Sequence, residues 1–201
     1  MMELASGASK RRIAIIQGHP DNTGEHYCHA LAAAYAEGAG VAGHELRTID
    51  VASAAFDLLR SQADWQGGTV PPELKPAQET IAWADHLLII YPLWLGTMPA
   101  LLKAFFEQVL RPGFAMDLEA GGRWRRRLEG KSARIVVTMG MPATVYRVWF
   151  RAHSLKSLER NILAFVGIKP VRATLIGMVE QSDARRRRWL AHLAALGRDA
   201  R

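Results

Sequence analysis

Apolar residues along the chain fall into short continuous runs separated by amphipathic stretches. Ile13-Ala14-Ile15-Ile16, His86–Tyr91, Ala133–Met139 and Val171–Ile176 are each bounded by breakers or turn residues. Runs of that length and kind fit strands buried on both faces, as in a parallel sheet. His44–Asp50 alternates instead, with Leu46 and Ile49 at its apolar positions, and makes a fifth strand. Helical spacing fills the gaps. Leu31, Ala34 and Tyr35 begin a helix that ends near Gly38-Ala39-Gly40. Leu101, Leu102, Phe105, Phe106, Val109 and Leu110 follow Pro99, which suits a helix's first turn, and Arg111-Pro112-Gly113 closes them. Leu155–Val166 forms a helix closed by Gly167, and Ser182–Leu196 a last one capped by Ser182. Ser53–Pro76 reads as a long loop with a short helix, and residues 111–130, rich in Gly and Arg, as an excursion. Strands alternating with helices predict an α/β fold, a doubly wound parallel sheet of five strands. Residues 11–201 make a single domain, with residues 1–10 a disordered N-terminal lead.

Composition narrows the function classes. The chain has 201 residues, 49% hydrophobic and 22% charged, a globular balance. The net charge of +7 sits largely in two clusters, Arg123 with Arg125–Arg127 and the run Arg185–Arg188. No nucleic-acid motif or base-stacking aromatic pattern accompanies either, so they read as solvated faces or attractors of small anions. Cys28 is the only cysteine, which excludes an internal disulfide and thiolate metal clusters, and no metal site is expected. Lys10-Arg11-Arg12 precedes only four apolar residues, too few for a signal peptide's core. The apolar region Ile81–Phe106 is broken by Asp85, His86, Pro92, Pro99 and Lys103, so no integral membrane segment is expected and a cytoplasmic protein is.

Three loops follow strands one, three and four and open at one sheet edge, where ligands of such folds sit: Gly18–Gly24, Pro92–Met98 and Thr138–Tyr146. The first has neither a dinucleotide nor a triphosphate glycine pattern. Thr23 and free N–H groups at a helix start offer an anion site; alternatively Asn22 or Thr23 caps the helix. The second loop is almost wholly apolar, unusual for a connection. Two readings stand: a flat apolar ligand whose edge takes backbone N–H donors, or burial by a partner subunit or neighbouring segment.

Gly18-His19-Pro20, Tyr91-Pro92-Leu93-Trp94 with Pro99-Ala100-Leu101-Leu102-Lys103, and Arg111-Pro112-Gly113-Phe114-Ala115 together resemble the flavodoxin-like NAD(P)H:quinone oxidoreductases. That family includes DT-diaphorase, the modulator of drug activity B and the ancillary reductases of potassium-efflux systems. The resemblance covers roughly residues 12 to 180. It implies a flavodoxin-like fold, a bound flavin, NAD(P)H as co-substrate, a small-molecule quinone acceptor and a homodimer with composite active sites. A flavoprotein regulatory subunit of a potassium-efflux transporter is the alternative. By position, His19, Thr23, Gly24, Glu25, His26 and Cys28 fall where the family contacts the flavin's phosphate and ribityl arm. Pro92, Leu93, Trp94, Leu95 and Gly96 fall under the ring, and Thr138, Met139, Gly140 and Met141 around its pyrimidine edge. Tyr146 matches a tyrosine credited with stabilising charge on reduced flavin, and His153 matches an accompanying histidine with a one-residue shift, Ala152 holding the strict position.

Trp94, Leu95, Met98, Trp149 and Phe150, if exposed, make a patch larger than a monomer usually shows, in keeping with a homodimer. FAD is expected over FMN. A phosphate monoester's near-double charge wants many donors and no carboxylate, whereas Gly18–Gly24 offers one hydroxyl, Thr23, beside Asp21 and Glu25.

Overall fold

The computed structural model describes residues 9–119 and 121–201. The N-terminal lead expected over residues 1–10 lies, for residues 1–8, outside the described residues. The apolar runs form β1 (Arg12–Gln17), β3 (His86–Pro92), β6 (Ser132–Met139) and β7 (Val171–Gly177), and the alternating run forms β2 (Glu45–Asp50). All pair in parallel, in the order β2-β1-β3-β6-β7. β1 and β3 are buried along nearly their whole length because helices cover both faces. The chain reverses its direction of travel across the sheet between β1 and β3, and the crevice beyond their carboxyl ends is the natural ligand position.

On one face α1 (Tyr27–Val41) and α7 (Asp183–Arg198) cover Ile13, Ile15, Leu88, Ile90 and Val136. The two helices approach closely through glycine. A Cβ on Gly38 would sit 1.9 Å from the Ala194 carbonyl oxygen, and one on Gly197 would sit 2.1 Å from that of Tyr35. Gly38 is therefore a packing position, and α1 ends at Val41, one residue past the Gly38-Ala39-Gly40 stretch where the sequence places its stop. The last helix begins after Ser182, but the Ser182 hydroxyl makes no capping bond, contrary to expectation; its carbonyl accepts from the N–H groups of Arg185 and Arg186.

The other face packs α3 (Lys75–Trp83), α4 (Ala100–Val109) and the segment after β6 over Ala14, Ile16, Leu87, Ile89 and Ile135. The stretch 53–76 contains the short helix α2 (Gln62–Gly67), capped by the Ser61 hydroxyl. Polar residues of the α4 region pin it. Gln108 Nε2 donates to the Asp57 carbonyl at 2.6 Å, and buried Arg111 donates to that of Thr69 at 2.6 Å. The excursion over 111–130 is an antiparallel hairpin of β4 (Met116–Leu118) and β5 (Trp124–Arg126), and its basic cluster is partly neutralised by Asp117 against Arg125 and Arg127. Short helices α5 (Ala143–Val148) and α6 (His153–Lys156) follow β6. The expected helix over 155–166 is wound as a π-helix from Ser157 to Leu163 and closes at Gly167, which holds φ +106°.

Candidate active site

The three loops meet at the carboxyl edge of β1, β3 and β6, fastened by specific contacts. The Leu93 N–H donates to the Thr138 carbonyl at 2.7 Å, joining the second loop to the third. Cys28 Sγ lies 3.2 Å from Thr138 Oγ1, tying the start of α1 to the third. The His19 and Trp94 rings meet edge-on at 6.1 Å, bringing the first loop to the second.

In the first loop the expected cap is absent. α1 starts at Tyr27, after His26, and neither Asn22 nor Thr23 caps it. The donors serve Asp21 instead: its carboxylate accepts from the Thr23 N–H at 2.8 Å and hydroxyl at 2.6 Å, and lies 2.9 Å from His26 Nε2. These bonds hold Asp21 down at about 2. The loop's donors thus face the protein's own carboxylate. His19 is buried, stacked on His26 at 3.9 Å, and burial lowers its pKa, which favours the neutral imidazole. His29 meets both rings edge-on. Among the described residues no cluster of His, Cys, Asp and Glu is placed to hold a metal ion. Cys28 is a small buried residue of α1, with burial pushing its thiol up to about 11. Gly24 and Glu25 are exposed.

The second loop is a tight reversal. Trp94 and Thr97 exchange backbone bonds of 2.9 and 3.0 Å, and between them Leu95 and Gly96 take φ of +44° and +79°. Gly96 adopts this freely; for Leu95 it is strained. Leu95 is fully exposed and Trp94 half exposed, whereas Met98, expected on the same surface, is buried at 6% because it packs into the core beneath the turn. The N–H groups of Leu93 and Trp94 are consumed internally, which corrects the expectation that they serve a ligand. Those of Leu95 and Gly96 find no acceptor among the described residues.

In the third loop Thr138 and Met139 are buried and Gly140 is exposed, with nothing within 4 Å of where its Cβ would stand. Met141 and Met139 accept from the Met178 and Val179 N–H groups at 3.1 and 3.3 Å, so the turn after β7 supports this edge. Tyr146 is buried, its hydroxyl 2.7 Å from Ser154 Oγ and accepting from the Leu155 N–H at 3.1 Å. That gives the phenol a structural position joining α5 to α6. Beside it Tyr91, whose hydroxyl is buried without a partner, has its pKa raised mainly by burial, with Tyr146 adding to it. His153 is exposed at the first position of α6, while Ala152 is buried at φ +48°. Ser154 and His29 escaped the sequence reading, and Asp21 entered it only as a carboxylate near Thr23, not as the acceptor of the loop's donors. Asp21 and Thr23, two residues apart, were the one available signal, since Asp commonly bonds backbone two positions on.

An apolar turn with two open N–H groups, an open glycine and a donor-lined cradle suits a flat ring with heteroatoms on its edge and a phosphate-bearing arm. The residues present therefore fit a flavin.

Residues 11–197 match the family model described as having a flavodoxin-like fold. An NAD(P)H oxidoreductase of Haemophilus influenzae, itself uncharacterised, is 28% identical over 144 residues, covering 70% of this chain and 71% of that protein. A glutathione-regulated potassium-efflux system ancillary protein of Cronobacter sakazakii is 45% identical over 79 residues, covering 38% of this chain and 40% of that one. The NAD(P)H:quinone oxidoreductase of Methanothermobacter marburgensis superposes with a TM-score of 0.83 at 26% identity, covering 96% of this chain and all of that one.

Proposed function

The chain belongs to the family of flavodoxin-like fold, and we propose that it is a flavin-dependent NAD(P)H:quinone oxidoreductase. The observation that carries the reading is the strained turn Trp94–Thr97, which presents apolar side chains and two unpaired amides where three loops converge. The similarity to proteins named as NAD(P)H and quinone oxidoreductases supports it.

When bound, the flavin supplies two-electron transfer between nicotinamide and quinone. The chain's own residues position and insulate it. The Leu95 and Gly96 amides hold the ring edge, and Trp94 and Leu95 keep water from its face. The Gly140–Met141 backbone would border the flavin's pyrimidine side and offer dipoles to the charge that a reduced flavin carries. Tyr146 is bound to Ser154 and Leu155, so it would support the site by holding the α5–α6 connection, and its hydroxyl would serve a bound flavin only if Ser154 released it. Exposed His153 lies at the mouth of the same connection. Thr23, His19 and His26 receive the phosphate-bearing arm, with Gly24, Glu25 and Cys28 flanking them. Asp21 must yield its cradle to that arm. A pyrophosphate, with one charge per phosphorus, competes there with less repulsion than a dianionic monoester, which supports FAD over FMN.

The apolar surface of Trp94, Leu95, Val148, Trp149 and Phe150 supports a homodimer whose second subunit covers the site. No helix among the described residues is long and apolar enough to cross a membrane, and a cytoplasmic location accords with that.

Titration of the apo protein with FAD and, separately, FMN tests the reading. Quenched flavin fluorescence and a rise in melting temperature are expected. No change at saturating concentrations of either rejects it.

A further inference from the structure

A cavity of about 390 Å³ opens at the opposite edge of the sheet from the three loops, where β1, β3, β6 and β7 begin. Arg11, His86, Ser132, Arg172, Asp199 and Arg201 line it. Among the described lining side chains, three guanidiniums face one carboxylate. Asp199 is occupied by Arg201, through a 3.1 Å bond to its Nε. Arg11 spends its guanidinium on neutral acceptors, Ser132 Oγ at 3.3 Å and the Ala200 carbonyl at 3.5 Å. Arg172, exposed on the edge strand, has no ion pair among the described residues.

A second observation points the same way. His86 is buried at the cavity wall, its Nδ1 2.7 Å from Ser132 Oγ and its Nε2 without a partner among the described residues. Burial and the surrounding arginines push it down to about 3, so the imidazole is neutral at physiological pH. A buried polar atom left alone is costly, and this one lies in the wall of a cavity that guanidinium groups line. Beneath, buried Arg134 donates to Thr174 Oγ1 at 2.7 Å and adds a further positive charge to the field.

We propose that this cavity binds a phosphate monoester. Guanidinium forks match phosphate oxygens pairwise, and a monoester's negative charge suits a lining rich in guanidiniums. The volume lies within the usual range for small-molecule sites. The site is separate from the flavin loops and stands independently of the reductase reading.

Calorimetric titration of the flavin-loaded full chain tests it, using inorganic phosphate in one arm, adenosine monophosphate in the other, and chloride at matched ionic strength as background. Saturable binding above background is expected, weakened about tenfold or more by Arg172→Gln and by Arg11→Gln, with flavin content unchanged. Tighter binding of the nucleotide assigns the cavity to an organic monoester, and equal affinities assign it to the phosphate group alone. Heat indistinguishable from chloride, or binding that both substitutions leave intact, overturns the proposal; the latter places the anion in the loops.

Discussion

The Leu93 N–H donates to the Thr138 carbonyl across 2.7 Å, and that bond fastens the apolar turn after β3 to the end of β6. It leaves Leu95 and Gly96 at the apex with their amides open, and it explains how a bulky residue is held at φ +44°. Strain of this kind persists where the surroundings over-determine the backbone and function exploits it.

Leu95→Gly follows directly. The exposed side chain packs on nothing, and relief of the left-handed conformation offsets the extra freedom of the unfolded chain. Stability by denaturant titration is expected to stay level or rise by up to about 1 kcal/mol, while flavin affinity falls. Lower stability with unchanged affinity would contradict this.

Tyr146→Phe removes the acceptor of the buried Leu155 N–H and the partner of Ser154. Loss of about 1–3 kcal/mol is expected, seen as a melting-temperature drop of roughly 2–4 °C per kcal/mol. Ser154→Ala, which leaves that N–H paired, should cost less. A Phe variant as stable as the parent but slow in flavin reduction would return Tyr146 to direct chemistry.

Asp21→Asn tests the cradle. Thr23 and His26 depress the Asp21 pKa to about 2, so the ionised carboxylate competes with any incoming phosphate. Because the folded value is lowered, the stabilisation is present above the ordinary carboxylate range and lost as pH falls through about 2. Removing the charge should tighten flavin binding, more for FMN than for FAD, in fluorescence titrations. Weaker binding of both would show that Asp21 helps hold the flavin.

His86 makes stability pH-dependent. Its folded pKa of about 3 lies below the usual imidazole value, so the unfolded chain binds the extra proton between the two. Stability is expected to fall, by on the order of a few kcal/mol, as pH drops from roughly 6.5 towards 4, and His86→Gln should flatten that dependence in urea titrations. Parallel curves for parent and variant would remove His86 as the cause.

Trp149→Arg places a charge on a side chain that is 81% exposed in the isolated chain. Light scattering should give a dimer for the parent and a folded monomer for the variant. A monomeric parent would refute the shared site.

Much of this was legible because its signals are local. The runs through Ile13–Ile16 and His86–Tyr91, short and bounded by breakers, fitted buried strands, and the apolar turn after Tyr91 announced an unusual loop. What stayed hidden depends on contacts across the chain. The hairpin of Met116–Leu118 with Trp124–Arg126 has strands too short to show a period and arginines that read as solvated. Gly38 gave no sign of its packing role because the helix it admits, α7, lies far along the chain. Met98 looked like surface because its loop is apolar, and only the fold shows that it turns inward. Ser154 came into place through the left-handed pair Arg151 and Ala152, a conformation neither residue type advertises.

Rapid mixing of the flavin-loaded protein, first with NADH or NADPH and then with a quinone, while flavin absorbance is followed, decides whether the chain is a quinone reductase. Bleaching by the nicotinamide and full recovery on adding quinone, repeated over many turnovers, is the predicted result. A flavin that stays oxidised with both nicotinamides, or that bleaches but does not recover with quinone, would contradict it.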